Sequence, residues 1–284
     1  MQKELRFQKS CFIMPQSSLD FLSKESIGII GCGHLGRAIA LQLVSRGYPS
    51  DRLRLSLSGS KRSLQNIIDC GLQSCLARND EICRDCSIIF IAIPPQSLPE
   101  LRGLSFPQDA MVISCMAGVS LQAIRRILGV EAVRIMPSGP SSIQEKRGIT
   151  AIYPDNEIVI RILQGLDLRV YRLLDEDLMH IFTVGVCLPA AFLVSEDCDR
   201  AMEEACKCLS WQYPDLAEIH SWARNVLPAF GTEEERRDHI GRMATKGGIT
   251  EAIVESLREN DDMLTALEKG IRRSRDISGR YEEK

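Results

Sequence analysis

The sequence has no stretch read as a membrane span. Ser87-Ile-Ile-Phe-Ile-Ala-Ile93 has only the length of a strand, far short of the about 18 residues that announce one. Residues 1–25 scatter Lys3, Glu4, Arg6, Lys9 and Asp20 among apolar side chains, so the start lacks the apolar core of a secretory signal. An excess of one charge is also missing. There are 35 Lys+Arg against 38 Asp+Glu, a net charge of -3, which argues against nucleic acid or an anionic membrane as the main partner. Ser-His-Asp and metal-ligand constellations are absent. Cys83-Arg-Asp-Cys86 has zinc-knuckle spacing, but no second pair or His-x3-His follows it, so thiols at ordinary helix ends and no metal are expected. The eleven cysteines are odd in number, and several sit inside apolar patterns. They read as reduced thiols of a cytoplasmic protein.

What is present reads as an α/β fold. The length of 284 residues suggests two domains. Strands are expected at 27–30, 53–58, 87–93, 110–114, 132–136, 149–153 and 168–173. Helices are expected between several of them, at 38–46, 61–70, 121–128 and 157–166. That alternation, with near-continuous apolar strands, predicts a doubly wound, mostly parallel sheet. Beyond Leu174 the pattern turns helical, at 175–186, 190–209, 216–229, 233–243, 250–259 and 262–275. The expected organisation is an N-terminal extension over 1–23, a dinucleotide-binding domain over 24–173 and a helical domain over 174–284. Such short helices often bury their apolar stripes against a twin subunit.

Gly31, Cys32, Gly33, His34, Leu35 and Gly36 form a G-x-G-x-x-G loop between a strand and a helix. The first glycine permits the turn, the second lets a pyrophosphate approach the backbone, and the third lets helix and strand pack closely. The positive helix end then meets the phosphates. An NAD site would place an acid after the second strand. Here that place holds Ser58, Gly59, Ser60, Lys61 and Arg62. Two hydroxyls and two cations suit a 2′-phosphate, so the expected cofactor is NADP (NADPH). His34 is expected to fill space over the cofactor. Cys32, near a helix N-terminus, is expected to have a lowered pKa and to be sensitive to oxidation.

Several segments together resemble the pyrroline-5-carboxylate reductase family. They are Ile27 to Ile39 with the glycine loop, Ile91-Ala-Ile-Pro-Pro-Gln96, Ile113-Ser-Cys-Met-Ala-Gly-Val-Ser-Leu121, Val133-Arg-Ile-Met-Pro-Ser138 and Thr245-Lys-Gly-Gly-Ile-Thr250. The resemblance implies a Rossmann-type domain, a helical dimerisation domain interlocked with its twin, and hydride transfer from NAD(P)H to a cyclic imine carboxylate in proline biosynthesis. It also implies that Ile93, Pro94, Pro95 and Gln96, with Met116, Ala117 and Gly118, line the cofactor. Met136, Pro137 and Ser138 would sit near the nicotinamide. Thr245, Lys246, Gly247, Gly248 and Thr250 would hold the substrate carboxylate, with Ser138 and Thr250 in catalytic positions.

The sequence departs from the family pattern at this pocket. Pro94-Pro95 stands for Lys-Pro, and Met136-Pro-Ser-Gly-Pro140 stands for Met-Pro-Asn-Thr-Pro. Gly185-Val-Cys-Leu-Pro-Ala-Ala191 is bulkier than a Ser-Gly-Ser loop, and Ile249 replaces a hydroxyl. Further polar candidates are Thr183, Glu196 and Lys246, and His180 is expected at a surface or interface. Two other readings stay open. One is a related oxidoreductase with another substrate or a deazaflavin partner, favoured by apolar Val186-Cys-Leu188. The other is a non-catalytic NADP(H)-binding sensor or scaffold.

Overall fold

The computed structural model describes residues 19–195, 198–210, 213–228 and 230–282. Residues 1–18 of the expected N-terminal extension, and Glu196, lie outside them. Residues Leu19–Leu22 form a short 3-10 turn that buries Leu19 and Leu22.

Seven strands form one sheet: β1 (Ile27–Ile30), β2 (Leu53–Leu55), β3 (Ile88–Ile91), β4 (Met111–Ser114), β5 (Ala132–Pro137), β6 (Ile149–Tyr153) and β7 (Arg169–Arg172). Their spatial order is β2-β1-β3-β4-β5-β6-β7. The first five run parallel, β6 pairs antiparallel with β5, and β7 follows β6. The expected α/β fold, a mostly parallel doubly wound sheet followed by helices, is therefore what forms.

Burial explains the uninterrupted apolar strands. β1 and β3 are buried along their whole length. On one face, Ile27, Ile29 and Phe90 pack with α1 (His34–Ser45) and α6 (Glu157–Gly165). On the other, Ile30, Ile89 and Ile91 pack with α3 (Asn79–Asp85) and α4 (Leu121–Leu128). Helix α2 (Lys61–Asp69) follows β2, and the short α5 (Pro140–Gln144) follows β5.

After β7 come α7 (Leu178–Val194), α8 (Cys198–Ser210), α9 (Leu216–Asn225), α10 (Glu233–Met243), α11 (Ile249–Arg258) and α12 (Met263–Glu282). They build a core that merges with Met136, Ala151 and Tyr171 of the sheet. The expected break before Pro189 does not occur, and α7 runs through it. A proline there forfeits one i→i−4 bond and strains the turn. Burial of nearly every α7 side chain from Met179 to Leu193 outweighs that cost.

The helical half covers its own apolar stripes. The exposed large hydrophobics among the described residues are Leu64, Ile68, Ile158 and Leu174, and all of them precede α7. No helix is long and apolar enough to cross a membrane among the described residues.

His180 corrects its sequence reading. It is buried rather than at a surface, and its Nδ1 lies 2.7 Å from Ser274 Oγ on α12. Burial, with the Arg134 cation nearby, holds its pKa below the ordinary 6.5. Arg134 on β5 is 2% exposed and pairs at 2.5 Å with Glu176, which also accepts the Leu121 N–H that opens α4. Losing the carboxylate would leave a buried unpaired guanidinium.

Two outcomes follow for stability. Glu176→Ala should cost about 3–5 kcal/mol of unfolding free energy, measured by urea denaturation; a loss under about 1 kcal/mol would contradict a buried pair. The unfolded chain takes up the His180 proton near pH 6.5 while the folded one resists it. Stability should therefore fall as pH drops below about 6.5. His180→Gln should flatten that slope in thermal unfolding, and an unchanged slope would refute the assignment.

Candidate functional site

The site is built on the turn from β1 into α1. Gly31 has a φ of +91, and a Cβ there would lie 2.5 Å from Ile93 Cγ2 and 2.9 Å from the Ala92 backbone. A Cβ on Gly36 would lie 2.5 Å from the Gly31 carbonyl oxygen. Gly33 differs, because nothing lies within 4 Å of its Cβ position. Two glycines thus let chain segments close on each other, and the middle one faces open space.

The start of α1 is a bare donor set. Gly33 is its N-cap and supplies no side-chain hydrogen bond. By contrast α2, α4, α6 and α10 are capped by Ser60, Ser120, Asn156 and Thr232. The first-turn N–H groups of His34, Leu35 and Gly36 have no helical acceptor, and the helix dipole adds positive potential there. The loop is braced from just past β2, where the Ser56 carbonyl accepts the Cys32 N–H at 2.7 Å and the Ser56 hydroxyl accepts the Gly31 N–H at 3.3 Å. Sheet order places this turn between the carboxyl ends of β1 and β3, where the chain winds to opposite sides and open α/β sheets take ligands.

A cavity of about 230 Å³ opens beside the loop, lined by Cys32, Gly33, His34, Arg37, Ser60, Arg62, Ser63 and Asn66. No carboxylate is in that wall. Ser58, Gly59 and Lys61 are exposed next to it, and Lys61 is not part of the lining. Arg37, on the first turns of α1, is a member that the sequence reading missed. Its place after the third glycine was the available signal.

Cys32 also corrects its reading. It is 2% exposed, and burial pushes its thiol up to about 12 despite the Arg37 cation. Desolvation outweighs the helix end, so the group is a protonated thiol and not an oxidation-prone thiolate. Cys83 and Cys86 are buried at the end of α3 as expected of helix-end thiols, and burial raises both.

The segments expected to line the nicotinamide end are roofed by α12. A Cβ on Gly118 would lie 2.8 Å from Ile277 and from the Ser274 carbonyl oxygen. The Tyr281 hydroxyl donates to the Pro95 carbonyl at 2.5 Å. Met116 is buried, whereas Pro94 and Gln96 are exposed and Ile93 and Ala117 are half-buried. Met136, Pro137 and Ser138 are all buried. Ser138 Oγ accepts the Ile149 N–H at 3.0 Å and lies 2.8 Å from Ser142 Oγ, so its hydroxyl is held inside the β5–β6 edge.

The Thr245–Thr250 loop opens α11. Gly248 is the N-cap and provides no side-chain bond. The Gly247 N–H donates to Glu251 at 2.5 Å, and Arg273 of α12 bonds the Gly247 carbonyl. Thr245 and Lys246 are exposed. Thr250 Oγ1 donates to Cys187 Sγ at 3.2 Å. No hydrogen bond joins this loop to Ser138 among the described residues. Ile249 and Leu188 are core residues, and Thr183 bonds the Met179 carbonyl of its own helix. The apolar replacements read as a changed pocket are therefore packing positions.

A family model described as NADP oxidoreductase coenzyme F420-dependent matches residues 26–118. Pyrroline-5-carboxylate reductase of Escherichia coli (strain K12) is 28% identical over 138 residues, covering 46% of this chain and 50% of that protein. The Vibrio alginolyticus enzyme of the same name is 26% identical over 128 residues, covering 43% and 46%. The chain thus spans about half the length of the curated relatives it matches. Among solved structures, the 1-pyrroline-5-carboxylate reductase of Streptococcus pyogenes superposes with a TM-score of 0.56 at 21% identity, covering 89% of this chain and 98% of that one. The Plasmodium falciparum pyrroline carboxylate reductase with NADP bound gives 0.55 at 17%, covering 90% and 98%. These likenesses show a shared fold. The sequence matches show similarity to pyrroline-5-carboxylate reductases over about half of this chain.

The thiol assignments predict selective alkylation. Iodoacetamide at mildly alkaline pH should label the exposed Cys208 and leave Cys32 unmodified in the folded chain, as read by peptide mass spectrometry. Cys32 labelling at a rate like that of Cys208 would contradict a buried, protonated thiol.

Proposed function

We propose that this chain is an NADP(H)-dependent oxidoreductase of the pyrroline-5-carboxylate reductase type. It would reduce a cyclic imine carboxylate or a close analogue. One observation carries the reading: an uncapped, glycine-opened helix beside an acid-free cavity with two arginines. That donor set fits a dinucleotide phosphate. Gly33 leaves room for it, the α1 N–H groups can bind it, and no carboxylate repels a 2′-phosphate.

NADPH, when bound, supplies the hydride. The chain's own residues then have to bind, orient and exclude water. The α1 start would hold the diphosphate. Met116–Gly118, roofed by α12, would form a dry wall at the nicotinamide end. The bare start of α11, with Lys246 beside it, would attract a substrate carboxylate. Ser138 and Thr250 were expected in catalytic positions, yet both hydroxyls face internal partners. Their proposed role is to fix Met136–Ser138 and α11 in place. A part in proline synthesis rests on the family resemblance, the homodimer on that resemblance and the short apolar-striped helices, and the cytoplasmic location on the cysteines read as reduced thiols.

The test is a spectrophotometric screen of NADPH oxidation with 1-pyrroline-5-carboxylate and its six-membered homologue. Turnover with at least one imine supports the proposal. Tight NADPH binding with no oxidation across imine and keto-acid substrates would instead favour a non-catalytic NADP(H)-binding protein. Replacing Lys61 and Arg62 together by Ala should weaken NADPH about tenfold or more relative to NADH. Equal losses for both cofactors would count against the 2′-phosphate reading.

A further inference from the structure

The cavity beside the glycine loop joins two helices. Arg37 reaches it from the first turns of α1, and Arg62 from the second position of α2. Neither guanidinium is ion-paired among the described residues, although the chain carries 38 acidic side chains. Some of its other arginines do find carboxylates. Arg46 pairs with Asp167, Arg134 with Glu176 and Arg172 with both Asp155 and Glu157. Two arginines sharing one small cavity without a counter-charge repel each other, so the arrangement gains from a bound anion. Ser60, Ser63 and Asn66 complete the wall with neutral hydrogen-bonding groups. Lys61, the cation adjacent in sequence, lies outside it.

We infer that Arg37 and Arg62, one from each helix, form the clamp that distinguishes a 2′-phosphorylated dinucleotide from an unphosphorylated one, and that Lys61 contributes little to that choice. This rests on the proposed NADP(H) reading. Guanidinium groups give this clamp directional, paired donors on a phosphate, which a flexible ammonium does not. Arg37 comes from the same helix whose N-terminus would take the diphosphate. Its position therefore links the two phosphate subsites through one rigid element.

The experiment uses the full chain and its single variants Arg37→Ala, Arg62→Ala and Lys61→Ala. Calorimetry measures binding of NADPH, NADH, 2′,5′-ADP and 5′-AMP, and thermal unfolding checks folding. Arg37→Ala and Arg62→Ala should each weaken NADPH and 2′,5′-ADP about ten- to a hundredfold. NADH and 5′-AMP should change less than about threefold, and so should every ligand with Lys61→Ala. If Arg37→Ala unfolds, Arg37→Gln replaces it, with the same selective loss expected. A monoester phosphate gains its second charge near pH 6. The preference of the wild-type chain for NADPH over NADH should therefore grow between about pH 5 and 7, and Arg37→Ala should blunt that growth.

The inference is overturned if Arg37→Ala lowers NADPH and NADH equally, if it lowers neither, or if Lys61→Ala produces the selective loss. A wild-type chain that prefers NADPH while Arg37→Ala keeps that preference defeats the clamp alone. A wild-type chain that binds no dinucleotide defeats the functional reading and the clamp with it.

Discussion

Gly31 turns at a φ of +91 with the Ala92 backbone and Ile93 closing on the space a side chain would need. Five residues on, Gly36 lets α1 press against the Gly31 carbonyl. This double contact fixes the angle between β1 and α1, and much of the candidate site hangs on it. It aims the bare end of α1 at the gap between β1 and β3. It also carries Arg37 to the wall facing α2. A side chain at either glycine would force the helix off the sheet, and the open space at Gly33 would lose its donors.

The sheet and most of its helices were legible because periodicity and turn chemistry agree there. Leu121–Leu128 forms over the expected residues, bounded by the Ser120 cap and a left-handed Gly129. Differences arise where tertiary packing overrides a local signal. Pro189 reads as a break, yet it lies in a helix too buried to interrupt. Asn79–Asp85 carries little apolar periodicity beyond its helix-end thiols, but Ile82 and Cys83 are buried, and Ile82 and Cys86 close on Gly28. The last helix extends past Arg275 to Glu282 because Ile277 and Tyr281 find partners on the sheet domain.

Within the site, sequence located the loops and not the side chains that face inward. The Lys61-Arg62 pair marked the right corner, but a helix shows successive residues to different directions, and only one of the two lines the cavity. Cys32 sat at a helix start, yet the depth of its burial is invisible to spacing. His180 had no local signal of burial, because its partner Ser274 lies 94 residues away. Helix α12 connects these distant parts. It touches His180 through Ser274, Gly118 through Ile277, Pro95 through Tyr281 and Gly247 through Arg273.

The central claim is that the β1–α1 turn cradles a dinucleotide diphosphate. A crystal structure of the chain grown with NADP tests it most directly. The diphosphate should lie over Gly33, within hydrogen-bonding distance of the His34, Leu35 or Gly36 N–H groups. A nucleotide bound elsewhere, or a turn left empty at saturating NADP, would contradict it.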